Sequence, residues 1–159
     1  MTAVEFLVQW VSTGHLLGFG TGCPLTEIDE LLPLDFTQES AGRNWLRRDY
    51  GLLALDCFGG PAWTLGGASL ELHRIPAQPG IVVEWCRVTG VSFPRFMPWR
   101  DLADAVARRP DVPVRTRSEQ GDFTEYRFAA GPVKVVVVAA EDERGDWPGQ
   151  GDIWSVHLG

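Results

Sequence analysis

From Arg43 to Ile75 the chain reads RNWLRRDYGLLALDCFGGPAWTLGGASLELHRI. Turn-forming residues interrupt this stretch twice, at Asp49-Tyr50-Gly51 and at Gly59-Gly60-Pro61. Glycine reaches positive φ without steric cost and proline presets its own φ, so both clusters predict tight turns. Between them Leu53, Leu55 and Cys57 alternate with Leu52, Ala54, Asp56 and Phe58, leaving hardly a polar face. A strand apolar on both sides belongs inside a sheet, beneath a covering layer. The stretch therefore predicts consecutive antiparallel strands, the third over Ser69–Ile75. The rest of the chain must supply the cover.

Two segments carry helical periodicity. Val4, Leu7, Val8 and Val11 recur at i, i+3, i+4, i+7, with Thr2 as N-cap and Gly14 as stop. Leu102, Ala103, Val106 and Ala107 line one face of a helix predicted over Trp99–Arg109, which Pro110 ends. Thr26 and Asp29 suggest a capping box that opens a two-turn helix before Pro33. Asp35–Gly42 reads as a polar connection. Ile81–Val88 is rich in β-branched residues and reads as a strand. Strands are also expected at Val112–Arg117, Thr124–Ala129, Pro132–Ala140 and Ile153–Leu158, with turns at Gln120-Gly121-Asp122 and Ala130-Gly131.

Helices grouped ahead of antiparallel runs indicate an α+β fold. A chain of 159 residues fits one domain, 1–159, with an antiparallel β-sheet or sheets packed by two or three helices. Residues 1–80 and 81–159 share an order of helix, turn-rich connection and meander. Two similar halves and coincidence both stay open, since no residue-level repeat accompanies the pattern.

Charge narrows the partners. The net charge of −7 repels a phosphate backbone, so nucleic acid is not expected. Arg43, Arg47 and Arg48 around Trp45 interleave cations with an aromatic as a nucleic-acid platform would. One short strand in an acidic chain reads better as an edge guarded by charge. Cys23, Cys57 and Cys86 are odd in number and lack a CxxC spacing, which predicts free thiols in a reducing compartment. With no leader-like start and no apolar run of about 20 residues, a cytoplasmic protein away from membranes is expected.

The sequence contains no decisive catalytic signature. The Gly18–Gly22 loop lacks the Lys-Ser/Thr of a phosphate-binding loop and follows a helix. His15, His73 and His157 do not combine with the cysteines at zinc-like spacing. Asp101 and Asp104 fit a solvated helix face. No metal and no cofactor is expected. The distinctive tract is acidic: Glu141, Asp142, Glu143, Asp146 and Asp152 fall within twelve residues, opposed only by Arg144, with Trp147 among them. An aromatic anchor ringed by carboxylates suits a basic protein surface. Glu27, Asp29 and Glu30 form a second acidic candidate. The alternative for both is a solvated surface.

At Trp45-Leu46-Arg47-Arg48-Asp49-Tyr50-Gly51-Leu52-Leu53-Ala54-Leu55, followed by Leu70-Glu71-Leu72-His73-Arg74-Ile75, the chain resembles small cytoplasmic immunity proteins of bacterial polymorphic-toxin systems. Members commonly carry a helix, a variable connection, an aromatic-rich DYG or KYG turn between strands, and a later strand ending in Leu-x-x-Ile. The resemblance spans about residues 4–75 and transfers no catalytic residue. It implies a non-enzymatic protein that binds and neutralises a cognate toxin. A basic toxin acting on nucleic acid would suit the acidic tract. A secretion or assembly chaperone that holds a peptide segment is one alternative, and a small enzyme is another.

Overall fold

The computed structural model describes residues 1–128 and 132–159. The expected turn at Ala130-Gly131, and the last residue of the strand expected to end at Ala129, lie outside them. Among the described residues the fold is α+β, with four helices and an eight-stranded antiparallel sheet.

Helix α1, Ala3–Thr13, begins where Thr2 accepts from the Glu5 amide and Glu5 reaches back to the Thr2 amide. This reciprocal box satisfies two amides that the helix itself cannot. Gly14, at φ 70°, closes the other end. Helix α2, Leu25–Leu31, starts after Pro24 with no side-chain cap, so the expected Thr26–Asp29 box does not form. The Leu25 amide donates to the Trp63 carbonyl instead, and Thr26 lies inside the first turn.

Strand β1, Thr37–Ala41, occupies the segment read as a polar connection and pairs antiparallel with β2, Trp45–Asp49. Being a fully exposed edge, it carries no apolar alternation to betray it. Strands β3, Leu53–Phe58, and β4, Thr64–Leu70, complete the first meander. The third strand thus begins five residues earlier than the hydrophobic pattern suggests. Glu71 leads into a 3-10 turn over Leu72–Arg74.

Ile81–Val88 is not a strand: helix α3 spans Gly80–Thr89. Ile81, Val82, Trp85 and Val88 share a helical face that packs on the core, and Gly90 at φ 72° caps the end. Burying that face outweighs the weak β preference of the valines. Helix α4, Trp99–Ala107, follows as expected. The second meander comprises β5, Val114–Gln120, β6, Phe123–Phe128, β7, Val133–Val138, and β8, Ile153–Leu158.

The strand order is β1-β2-β3-β4-β8-β7-β6-β5. Each half therefore supplies two helices and a four-stranded meander, and the two meanders meet through their last strands. Ala68, Ser69 and Leu70 on β4 face Leu158, His157 and Val156 on β8. Gly67 permits this junction, because a Cβ there would lie 3.1 Å from the Leu158 carbonyl oxygen. One hydrophobic cluster runs through both halves, from Phe6, Leu7 and Trp10 through Leu53 and Leu55 to Leu102, Val135 and Val156. Phe6 meets Trp85 and Phe93 edge to face, tying α1 to α3 and the loop after it. The opposite face of the sheet presents Trp45, Arg47, Asp56, Ser69, Lys134 and His157 along one polar depression.

Candidate binding cleft

The acidic tract forms the connection between β7 and β8, and a buried carboxylate organises it. The Asp152 side chain is 1% exposed. Its Oδ1 accepts from Arg144 Nη2 at 2.6 Å, and its Oδ2 accepts from Arg144 Nε at 2.8 Å and from the Gly149 amide at 3.0 Å. This pairing holds the Arg144 guanidinium above its ordinary pKa. Gly149 must be glycine here, since a Cβ would stand 2.9 Å from the Arg144 backbone nitrogen. Arg144 also lies over the Phe96 ring, 5.0 Å from its centroid. Asp152 is therefore an internal brace rather than a contact residue.

The brace leaves the other acids outside. Glu141, Asp142, Glu143 and Asp146 are exposed. No ion pair among the described residues engages any of them. Trp147 stands among them, 58% exposed, while Pro148 beside it is buried. The loop ends are pinned by backbone bonds, Gly151 to the Val138 carbonyl and Gln150 to the Asp142 carbonyl.

Trp147 forms one side of a cleft of about 510 Å³ that Phe123 and Trp154 also line, with Asp122, Asp142 and Glu143 around it. The Trp147 and Trp154 rings lie near parallel, 18° apart, with centroids 5.9 Å apart. Phe123 meets Trp154 edge-on at 5.3 Å. His73 stacks on Trp154 at 4.5 Å and 2°. Burial pushes the His73 pKa below its usual value, against the nearby Glu71, so this ring is held toward its neutral form.

Neither Phe123 nor Trp154 is among the residues that composition or spacing marks for binding. Phe123 falls between the turn expected at Gln120-Gly121-Asp122 and the strand expected from Thr124, and strict alternation on β8 would set Trp154 on the core side with Val156 and Leu158. A register shift between Val136 and Val137 inserts Trp154 as an extra residue on β8. Such bulges re-aim side chains, and this one brings Trp154 to Phe123 and Trp147. No local signal in the sequence announces it.

The second acidic candidate lies elsewhere. Helix α2 docks at the Thr64 end of β4, through the bridge between Pro24 and Thr64, whereas the acidic loop enters β8 at Ile153. The two clusters sit toward opposite ends of the sheet. Asp29 is paired with Arg48, and Glu27 approaches the Cys23 sulfur at 3.7 Å. Glu30 is exposed.

The basic tract is largely neutralised. Arg47 pairs with Asp56 at 2.9 Å, Trp45 Nε1 donates to Asp56 at 3.1 Å, and Arg48 is taken by Asp29 and by Gln38. Arg47 and Arg48 lie on the second strand rather than on an edge, and Arg43 lies in the exposed turn before it. Cys57 is buried, and burial pushes its thiol up to about 11. Burial also raises the Cys23 thiol, with Glu27 adding to the effect. The described residues contain no group of three or more His, Cys, Asp and Glu placed to hold a metal ion, and no described helix is long and apolar enough to cross a membrane. Comparison with protein-family models, curated proteins and solved structures finds no match.

Proposed function

We propose that the protein is a non-enzymatic inhibitor of the immunity type, cytoplasmic, which binds and neutralises a basic toxin domain. One observation carries the reading: an exposed tryptophan stands among unpaired carboxylates on a loop braced from within by Asp152 and Arg144. A partner meeting a pre-ordered loop loses less conformational freedom on binding. A desolvated aromatic inside a charged rim is the arrangement that concentrates binding energy in interfaces. Enzymes acting on nucleic acid keep cationic clefts for phosphate, and a protein of net charge −7 complements them. The resemblance at residues 45–55 points the same way.

A second reading, a chaperone for an extended segment, draws on the open edges. Strands β1 and β5 are exposed and, among the described residues, lack an outer neighbour, so an added strand could pair with either. Arg115, Arg117 and Glu119 along β5 are the sort of charges that discourage such pairing.

Co-expression with a toxin encoded beside this chain tests the proposal, and absence of both binding and protection refutes it. A folded toxin domain should be the preferred partner, and a chaperone would instead retain its segment after the toxin is denatured. Glu141→Ala/Asp142→Ala/Glu143→Ala should slow association and flatten its dependence on salt, since rim charges steer encounter. Trp147→Ala should act on dissociation, costing about 2 kcal/mol. An unchanged association rate and salt slope in the triple variant would remove the loop from the interface.

A further inference from the structure

We infer that the cleft between Trp147, Trp154 and Phe123 is a receptor for an arginine side chain presented by a protein partner. The inference rests on the inhibitor reading and specifies what its partner places there.

The geometry and the charge agree. The cleft combines aromatic walls with Asp122, Asp142 and Glu143, and no lysine or arginine lines it. The loop's own cation has been taken elsewhere: Asp152 holds Arg144 in a separate depression beside Pro98 and Trp99. The cleft carboxylates consequently have no internal counter-charge among the described residues, and an incoming cation supplies it. Trp154 is held by its parallel stack on His73, and burial, which lowers the pKa of that imidazole, disfavours a positive charge on it that would repel a cation nearby.

Guanidinium fits these walls better than ammonium. It is planar, stacks on aromatic faces and binds carboxylate through a two-pronged donor edge, while ammonium is a strongly hydrated point charge. The volume, about 510 Å³, exceeds one side chain and leaves room for the backbone of the segment that carries it.

The test is an NMR titration of the full chain with N-acetyl-Gly-Arg-Gly-amide, following the indole N–H signals of Trp147 and Trp154. The arginine peptide should shift both saturably, with a Kd of about 1 mM, as suits a single side chain. The lysine peptide should bind several-fold more weakly, and the citrulline peptide, of the same shape but uncharged, should cause no shift. Asp142→Asn/Glu143→Gln should weaken the arginine peptide about tenfold, as loss of a charge-assisted contact implies. Glu27→Gln/Glu30→Gln at the other end of the sheet should leave it unchanged. Unperturbed core methyl signals in each variant establish that it is folded. The assignment is overturned by equal shifts from citrulline or lysine, or by no shift at about 20 mM peptide, well above the expected Kd. If a toxin is neutralised equally well by Asp142→Asn/Glu143→Gln, the arginine assignment falls and the inhibitor reading stands. If the peptide binds as described but no toxin is bound, the inhibitor reading falls alone.

Discussion

Replacing Arg144 by alanine should damage the fold more than its exposed position suggests. Arg144 is 50% exposed, but its partner Asp152 is 1% exposed. The substitution deletes the bonds at 2.6 and 2.8 Å and leaves a buried carboxylate with the Gly149 amide alone. Stranding a buried charge costs about 3–5 kcal/mol when both partners are enclosed. Water can reach the side that Arg144 vacates, so about 2–3 kcal/mol is the appropriate range here. For a chain of this size each kcal/mol moves Tm by about 2–4 °C, which gives a fall of about 4–12 °C. Asp152→Asn removes the charge while keeping the shape, so alone it should cost only about 1–2 kcal/mol. The deciding comparison is the double variant. Arg144→Ala/Asp152→Asn should be more stable than Arg144→Ala, because the stranded charge has gone. Thermal unfolding of the four proteins, followed by circular dichroism, measures this directly. A double variant as unstable as the sum of its parts would show that the brace does not work through a buried charge.

Acidification should destabilise the protein. Burial depresses the pKa of both His73 and His157, with Lys134 adding to the effect at His157. Their unfolded counterparts gain protons at about pH 6.5, before the folded ones do. Stability is therefore complete above that pH and declines below it toward the folded-state values. Tm measured from pH 7.5 to 5.0 should fall, and His157→Gln should flatten the fall; an identical slope in the variant would refute the assignment. Cys57 should resist a thiol reagent in the native protein and react only on unfolding, because its thiol is buried and pushed up to about 11; rapid native labelling at Cys57 would contradict the packing. Leu102→Ala should cost about 2–5 kcal/mol in denaturant unfolding, since the side chain is fully buried on α4, the helix that packs against α1; a loss below about 1 kcal/mol would place α4 outside the core.

Features written in short segments were legible in the chain. The α1 cap and stop, the stripe on α4, the turn at Asp49–Gly51 and the valines of β7 each depend on residues a few positions apart. Backbone geometry translates such spacing directly into structure. The α+β class follows from their order. The concentration of acid around Trp147 was legible too, because composition needs no fold. Other features depended on partners far away in sequence. β1 has no apolar residue to bury except Ala41, and only its pairing with β2 makes it a strand. The helical nature of α3 depends on a core that accepts Ile81, Val82 and Trp85 together. The union of the two meanders pairs Leu70 with Val156, a contact between residues whose own neighbourhoods contain no sign of it. Asp152 looked like one more surface acid until the loop closed over it and Arg144 turned to meet it. Trp154 joined Phe123 and Trp147 only through a one-residue slip in the register of β8. Charge content is a property of the chain, but which charges remain free for a partner is decided by burial, and burial is set by the whole fold.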